Sequence, residues 1–218
     1  MRKISPEHTK EIKERILNAT KDSLVQDGYR RTTIRHIVER SGVLTGSIYY
    51  FYRNKEEIFQ DLFRNIIREC IERIEACCAD ETPAFRYAAV CETELKTLSE
   101  DKNIREIYYQ CYNSPLIFET FVQAFARLAK REFGDAFTDD EYYRKALLLK
   151  GAMHGCLAEM YFDHPVDLVA SRKDITCAVL VLFKVSDDEI KATIQRMQQK
   201  GDLWEHIASE LINIPLAF

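Results

Sequence analysis

Residues 33–51 read TIRHIVERSGVLTGSIYYF, and their pattern decides the fold. Thr33 stands where a helix N-cap belongs. Ile34, Ile37 and Val38 then recur at helical spacing, so a short helix over 33–40 turns them inward. Ser41-Gly42-Val43 makes a tight turn, with glycine where a positive φ is least costly. A second short helix, 45–51, buries Ile48 against Val43 and Ile37. The long helix before them, 6–27, supplies Ile12, Ile16, Ala19 and Leu24 as a third wall. Two short helices joined by a tight turn and seated on a third make a helix-turn-helix head of the DNA-binding type.

The outer side of the 45–51 helix carries Thr45, Gly46, Ser47, Tyr49 and Tyr50. Gly46 has no side chain, which lets the helix approach a groove closely. Ser47 and Tyr49 offer hydroxyl donors to phosphate oxygens without the cost of desolvating a full charge. Residues 49–52 are all aromatic and cannot all face inward, because each step along a helix turns about 100°. Phe51 and Tyr52 are expected to pack, and Tyr49 and Tyr50 to face outward. Arg35 is expected on the outer side of the first short helix, and His36 at the surface. Lys55 opens the next helix, where its charge opposes the helix dipole at a cost of about 0.3–1 kcal/mol. A phosphate bound at that N-terminus would offset the cost.

Charge supports this division of labour. The chain has 218 residues and a net charge of −4, which by itself speaks against a polyanion partner. Residues 1–55, however, carry 12 Lys/Arg against 6 Asp/Glu, and residues 56–218 carry 19 against 29. A head at +6 on a body at −10 implies that only the head meets a polyanion.

Outward from the head, the rest of the chain reads as helix. Seven glycines and five prolines are too few for the turns of an all-β fold. Ser5-Pro6, Thr82-Pro83 and Ser114-Pro115 pair an N-cap with a proline at the first helical position. Asn54, Thr138 and Ser186 each precede a Glu at N3, a capping-box pattern. Gly28, Gly42, Gly134 and Gly201 read as stops. The remaining helices are expected over 54–79, 83–99, 103–112, 115–133, 139–162, 166–184, 187–199 and 202–212. The fold class is therefore all-α, with an N-terminal three-helix DNA-binding domain over 1–53 and a larger helical domain over 54–218. The 54–79 helix connects the two, and Ile66, Ile67, Ile71 and Ile74 form its core stripe.

Several classes are excluded. The N-terminus has no apolar signal core, and no run reaches the roughly 18 apolar residues of a membrane span, so a cytoplasmic, non-membrane protein is expected. The seven cysteines contain no Cys-x-x-Cys pair and read as small buried hydrophobes. Vicinal Cys77-Cys78 has the chemistry to sense oxidants or soft metals, but no nearby His or third thiol completes a metal site. The five histidines are scattered outside any metal-ligand spacing, and no Gly-x-Ser-x-Gly elbow or phosphate loop occurs. No catalytic residue, metal or cofactor is expected.

The head closely resembles the TetR family of transcriptional regulators. The likeness runs from Arg15-Ile16-Leu17 through Gly28-Tyr29 and Thr32 to Ile37. It continues from Gly42 to Tyr52 and ends at Asn54-Lys55-Glu56-Glu57-Ile58. It implies that Thr33, Ser47, Tyr49 and Lys55 clamp phosphates, while Arg35, Thr45, Gly46 and Tyr50 lie near base edges. Many relatives carry His where Phe51 stands, so a phosphate contact is not carried over to that position.

The resemblance also implies a homodimer on a double-stranded operator, with a seam on the 139–162 and 166–184 helices. Small and apolar residues mark the expected seam: Ala146, Leu147, Gly151, Gly155 and Ala158 on the first helix, and Ala178, Val179 and Leu182 on the second. It further implies an effector pocket in the aromatic-rich middle of the chain. The expected lining is Tyr87, Cys91, Tyr108, Tyr112, Phe121, Phe125 and His154, suited to a small hydrophobic or aromatic molecule. Binding there would favour a conformation in which the connector helix swings and changes the head spacing. The competing expectation is a DNA-binding protein whose body serves only dimerisation or a protein partner, with no small-molecule effector.

Overall fold

The computed structural model describes residues 5–164 and 167–216. Eleven α-helices follow one another among them, and none of the described residues forms a strand. They are α1 (Pro6–Arg31), α2 (Ile34–Ser41), α3 (Thr45–Phe51), α4 (Lys55–Cys77), α5 (Pro83–Glu100) and α6 (Lys102–Tyr112). Then come α7 (Pro115–Phe133), α8 (Asp139–Ala158), α9 (Leu168–Leu182), α10 (Asp187–Gln199) and α11 (Gly201–Asn213). An N-terminal helix-turn-helix head thus precedes a larger helical body. The outer limits of the expected segments at residues 1 and 218, and the expected helix start at 166, lie outside the described residues.

Local chemistry explains most boundaries. Ser5, Thr33, Asn54, Thr82 and Ser186 each accept a hydrogen bond from a backbone N–H three residues on. Thr138 and Glu141 form a complete capping box. At Asn54 the expected box is displaced, because Glu57 takes the backbone N–H of Arg53 instead. Ser114 makes no side-chain cap, so Pro115 alone marks that start. Gly201 opens α11 rather than ending α10, which stops at Lys200 with no left-handed residue. Gly28 breaks the helical path of α1 at φ 78°, after which the chain turns once more to Arg31.

One continuous apolar core runs from head to body. α1 and α4 carry it across: α1 packs on α2, α4 and α6, while α4 packs on α5, α7 and α11. The C-terminal segment closes onto the head helix. Asn18 donates to the Leu216 carbonyl and accepts from the Leu216 N–H at 2.8 Å, and the Lys21 ammonium donates to the Ile214 carbonyl. The head is therefore held by the connector α4 and by the segment after α11 that carries Ile214 and Leu216. Among the described residues, no helix is long and apolar enough to cross a membrane.

Candidate nucleic-acid interface

The head is organised around side chains with no solvent exposure. Ile16 and Leu17 of α1, Ile37 of α2, Ile48 of α3, and Ile58 and Phe59 of α4 are all at 0%. Gly42 joins α2 to α3 in the left-handed conformation (φ 64°, ψ 15°). A β-carbon there would lie 3.2 Å from the Arg15 guanidinium. That guanidinium donates to the Ser41 carbonyl at 2.8 Å and ties the turn to α1. Tyr52 is buried and donates to Asp61 at 2.6 Å, and Lys13 also reaches Asp61, at 3.5 Å. Burial first, then this carboxylate, push the Tyr52 phenol well above its ordinary range, so it stays a proton donor that pins the end of α3 to α4.

Burying Ile48 and Tyr52 turns the opposite side of α3 to solvent. Tyr49 is 54% exposed and Tyr50 70%, while Thr45 and Gly46 are exposed and Ser47 is half-buried. Phe51 is half-buried and meets Tyr50 edge-on at 5.0 Å, so the aromatic run divides as its helical phase requires. Leu44, the residue before α3, is 78% exposed. Sequence reasoning missed it, because a single leucine in a turn carries no periodicity. An apolar side chain at the leading end of such a helix is suited to the methyl group of thymine.

The flanking residues fall on either side of this helix in the chain. Thr33, the N-cap of α2, and Arg35 on α2 are exposed, and Arg35 is paired with Glu39 at 2.9 Å. Lys55 is half-buried, its ammonium 4.5 Å from the Tyr29 ring centre and 3.3 Å from the Tyr29 carbonyl oxygen. This carbonyl and ring, within the chain itself, offset the unfavourable position of the lysine at the start of α4. A phosphate is therefore not needed to hold it there. Six of the eight residues singled out in the sequence are exposed, and Ser47 and Lys55 are half-buried.

In the body, a cavity of about 80 Å³ opens between α1, α4, α5, α6, α7 and α11. Tyr108 and Phe125 line it, as do Leu24, Val25, Ile66 and Leu211. Tyr87, Cys91, Tyr112, Phe121 and His154 do not. Tyr87 packs against Phe125, Phe133 and Phe183 with ring centres 5.0–6.3 Å apart, and Tyr112 packs against Phe118, Phe121 and His154. Tyr87 and Tyr112 fill space by interlocking with neighbouring rings, and the void lies beside them, walled by Phe63, Tyr108 and Phe125 together with aliphatic side chains of α1, α4 and α11. A larger groove of about 490 Å³ lies between α5, α9, α10 and α11, with a charged rim that includes the Arg172–Glu92 pair.

Behind the cavity lies an ion pair that sequence reasoning did not anticipate. Lys150 has no solvent exposure, and its ammonium sits 2.5 Å from Glu94 and 3.2 Å from the centre of the Phe125 ring. Burial lowers the Lys150 pKa, and Glu94 acts against that shift.

The residues expected at a dimer seam divide. Leu147, Gly151, Gly155 and Ala178 are exposed, and Ala158 and Leu182 are half-buried. Ala146 and Val179 point into the protomer's own core, at 0% and 1% exposure, and so cannot offer side chains to a second copy. Leu148 at 60% and Val181 at 61% extend the exposed face instead. Cys77 is exposed and Cys78 buried, their sulfurs 3.6 Å apart. Burial pushes the Cys78 thiol up to about 11, so it stays protonated.

Residues 16–62 match the family of bacterial regulatory proteins, tetR family. The head is of the tetR-family type. The match runs from Ile16 of α1 through the first two turns of α4, the segment that builds and presents α3. The chain is 29% identical over 90 residues to the fatty acid metabolism regulator protein of Bacillus subtilis strain 168, a match spanning 41% of this chain and 46% of that protein. The chain thus spans about half the length of this curated relative. Whole-chain likeness appears in solved structures. RolR in complex with resorcinol superposes with a TM-score of 0.63 at 14% identity, over 98% of this chain and 99% of that one. A TetR regulator from Rhodococcus sp. RHA1 gives 0.60 at 17% identity, over 79% and 96%. At these identities the likeness establishes the TetR-type helical fold of head and body.

Proposed function

We propose that the chain represses transcription by binding a pseudo-palindromic operator as a homodimer, and that a small organic effector releases it. The observation that carries the DNA reading is the outward face of α3, with Thr45, Gly46, Tyr49 and Tyr50 exposed and Ile48 and Tyr52 anchored beneath. Phosphate contacts come from Thr33, Ser47, Tyr49 and Lys55. Base readout comes from Arg35, Thr45, Gly46 and Tyr50, with Leu44 added.

A single head binds weakly. Two heads about 34–36 Å apart, or a multiple of that spacing, read two half-sites together. The exposed apolar face of α8 and α9, from Leu147 and Leu148 across Gly151 and Gly155 to Ala178 and Val181, is suited to join two copies, because its small residues allow close helix approach. In this reading the head spans 1–53 and the effector-binding and dimerisation part spans 54–218.

The effector arm rests on the position of the cavity. A void of about 80 Å³ is smaller than the roughly 150 Å³ that accepts benzene. A ring-sized ligand therefore has to push the walls outward. Those walls include Leu24 and Val25 of the head helix α1 and Ile66 and Ile67 of the connector α4. Displacing them changes the head's seat on the body, and the operator affinity changes by the ligand's preference for the displaced state.

Selection of bound fragments from random DNA tests the function and the symmetry together. An inverted repeat with half-sites spaced by helical turns is expected. Recovery of unrelated fragments, or of a single half-site, would overturn the reading.

A further inference from the structure

The cavity walls are mostly aliphatic and aromatic, and their polar groups are few. Thr93 and Thr97 spend their hydroxyl protons on the backbone one helical turn back, on the Ala89 and Thr93 carbonyls at 2.9 and 2.8 Å. Lys21, on the α1 wall, is engaged by the Ile214 carbonyl. Glu94 differs. Its side chain is 8% exposed and lines the cavity, while Lys150 and Tyr112, which hold it, do not. Lys150 takes one carboxylate oxygen at 2.5 Å, and the Tyr112 hydroxyl donates to the other at 3.0 Å. Each oxygen has two lone pairs, so accepting capacity is left over on a carboxylate fixed from behind.

Charge narrows what such a group can take. The Glu94 charge is already matched by Lys150, so a cationic ligand would bring an unmatched charge into a dry site. An anionic ligand seated at Glu94 would be repelled by the carboxylate and would have to reach Lys21 on the α1 wall for a partner. At Glu94 itself either ion is left unpaired, and a neutral donor is not.

We propose that Glu94 is the polar anchor of the cavity and that its ligand is a neutral, largely apolar molecule carrying a hydroxyl donor. An aryl alcohol fits best, because Phe63, Tyr108 and Phe125 supply ring walls beside the anchor. This inference rests on the effector reading above. Lys150 and Tyr112 act as positioning residues, keeping the Glu94 carboxylate fixed and aimed.

Calorimetric titration of the full chain with four probes of similar size tests it: 4-propylphenol, 4-propylanisole, 4-propylbenzoate and 4-propylbenzylammonium. The phenol is expected to bind at least about tenfold tighter than its methyl ether, since a hydrogen bond to a charged acceptor is lost. Both ions should bind more weakly than the phenol. Glu94→Gln should erase most of the phenol's advantage, and circular dichroism will report whether that variant is folded. The wild-type series stands without it. Binding of all four probes within a factor of two would overturn the anchor and leave a merely apolar effector cavity. Tighter binding of either ion would overturn the anchor's charge logic. Binding by none would remove the cavity as a ligand site, and the effector reading with it.

Discussion

Two of the protein's cation–carboxylate pairs, one on the head and one in the body, differ in nearly every respect except chemistry. On the head, Arg35 meets Glu39 at 2.9 Å with side-chain exposures of 86% and 57%. In the body, Lys150 meets Glu94 at 2.5 Å with exposures of 0% and 8%. Water competes for the first pair, so either partner can be taken by something else at little cost. The second pair is dry, so neither partner can leave without stranding the other. The head thus keeps its charge available for an outside partner. The body keeps its charge committed and shows a ligand only the remaining capacity of one carboxylate.

The sharpest way to break this comparison is to strand the buried lysine. Glu94→Ala is expected to destabilise the fold by about 3–5 kcal/mol, read from urea unfolding midpoints. Replacing both partners by apolar residues, Glu94→Leu with Lys150→Met, should recover most of that loss. A double variant as unstable as the single one would show that packing, not the stranded charge, sets the cost.

The pH dependence gives a second handle. Burial already lowers the Lys150 pKa, and Glu94 opposes the shift, so removing Glu94 lowers it further. In Glu94→Ala, between that lowered value and the ordinary 10.5, the unfolded chain binds a proton that the folded chain does not. Stability of the variant should therefore rise with pH relative to wild type, by at most about 1.4 kcal/mol per pH unit. Midpoints at pH 7 and pH 9 measure it, and an unchanged or widening deficit would contradict the assignment.

Much of the head was legible because its signals are local. Thr33, Gly42 and Asn54 mark boundaries by their own backbone chemistry, and Ile37 and Ile48 mark the core by spacing. The exposed Tyr49 and Tyr50 follow from the same phase. In the body the cavity was not legible. Tyr87, Tyr112 and Phe121 are aromatic and central, yet they fill space instead of lining it, and a void is set by how side chains fit rather than by which occur. The Lys150–Glu94 pair joins residues 56 positions apart, and no periodicity reports a contact at that distance. Leu24 and Leu211 both line the cavity, because α11 folds back beside the head helix, which only the tertiary arrangement reveals.

On the head, a smaller effect is expected from phosphate contacts. Tyr49→Ala and Lys55→Ala should each weaken binding on all DNA sequences alike, but only Lys55→Ala, which removes a charge, should reduce the salt slope by about one, while loss of the neutral tyrosine should leave the slope unchanged. The two should differ in the free protein. Tyr49 is 54% exposed and its loss should leave stability unchanged, whereas Lys55 also packs on Tyr29 and its loss should cost up to about 1 kcal/mol. Equal stability of both variants would mean that the Tyr29 contact contributes nothing and that Lys55 is held for DNA alone.

The smallest effect on the fold, and the most informative for specificity, belongs to Arg35. An exposed pair one helical turn apart is screened by water and contributes little to stability, so Arg35→Ala should leave the unfolding midpoint within error of wild type. Glu39→Ala should do the same. The two should diverge only on DNA. Removing Arg35 takes away a group that can reach a base edge, so the preferred operator should change at one position per half-site. Removing Glu39 frees Arg35 from its carboxylate partner on α2 and takes a negative charge off the DNA-facing head, so affinity should rise with preference unchanged. If Arg35→Ala instead weakens every sequence equally, Arg35 contacts phosphate rather than bases. Specificity would then rest on α3 and on Leu44 ahead of it.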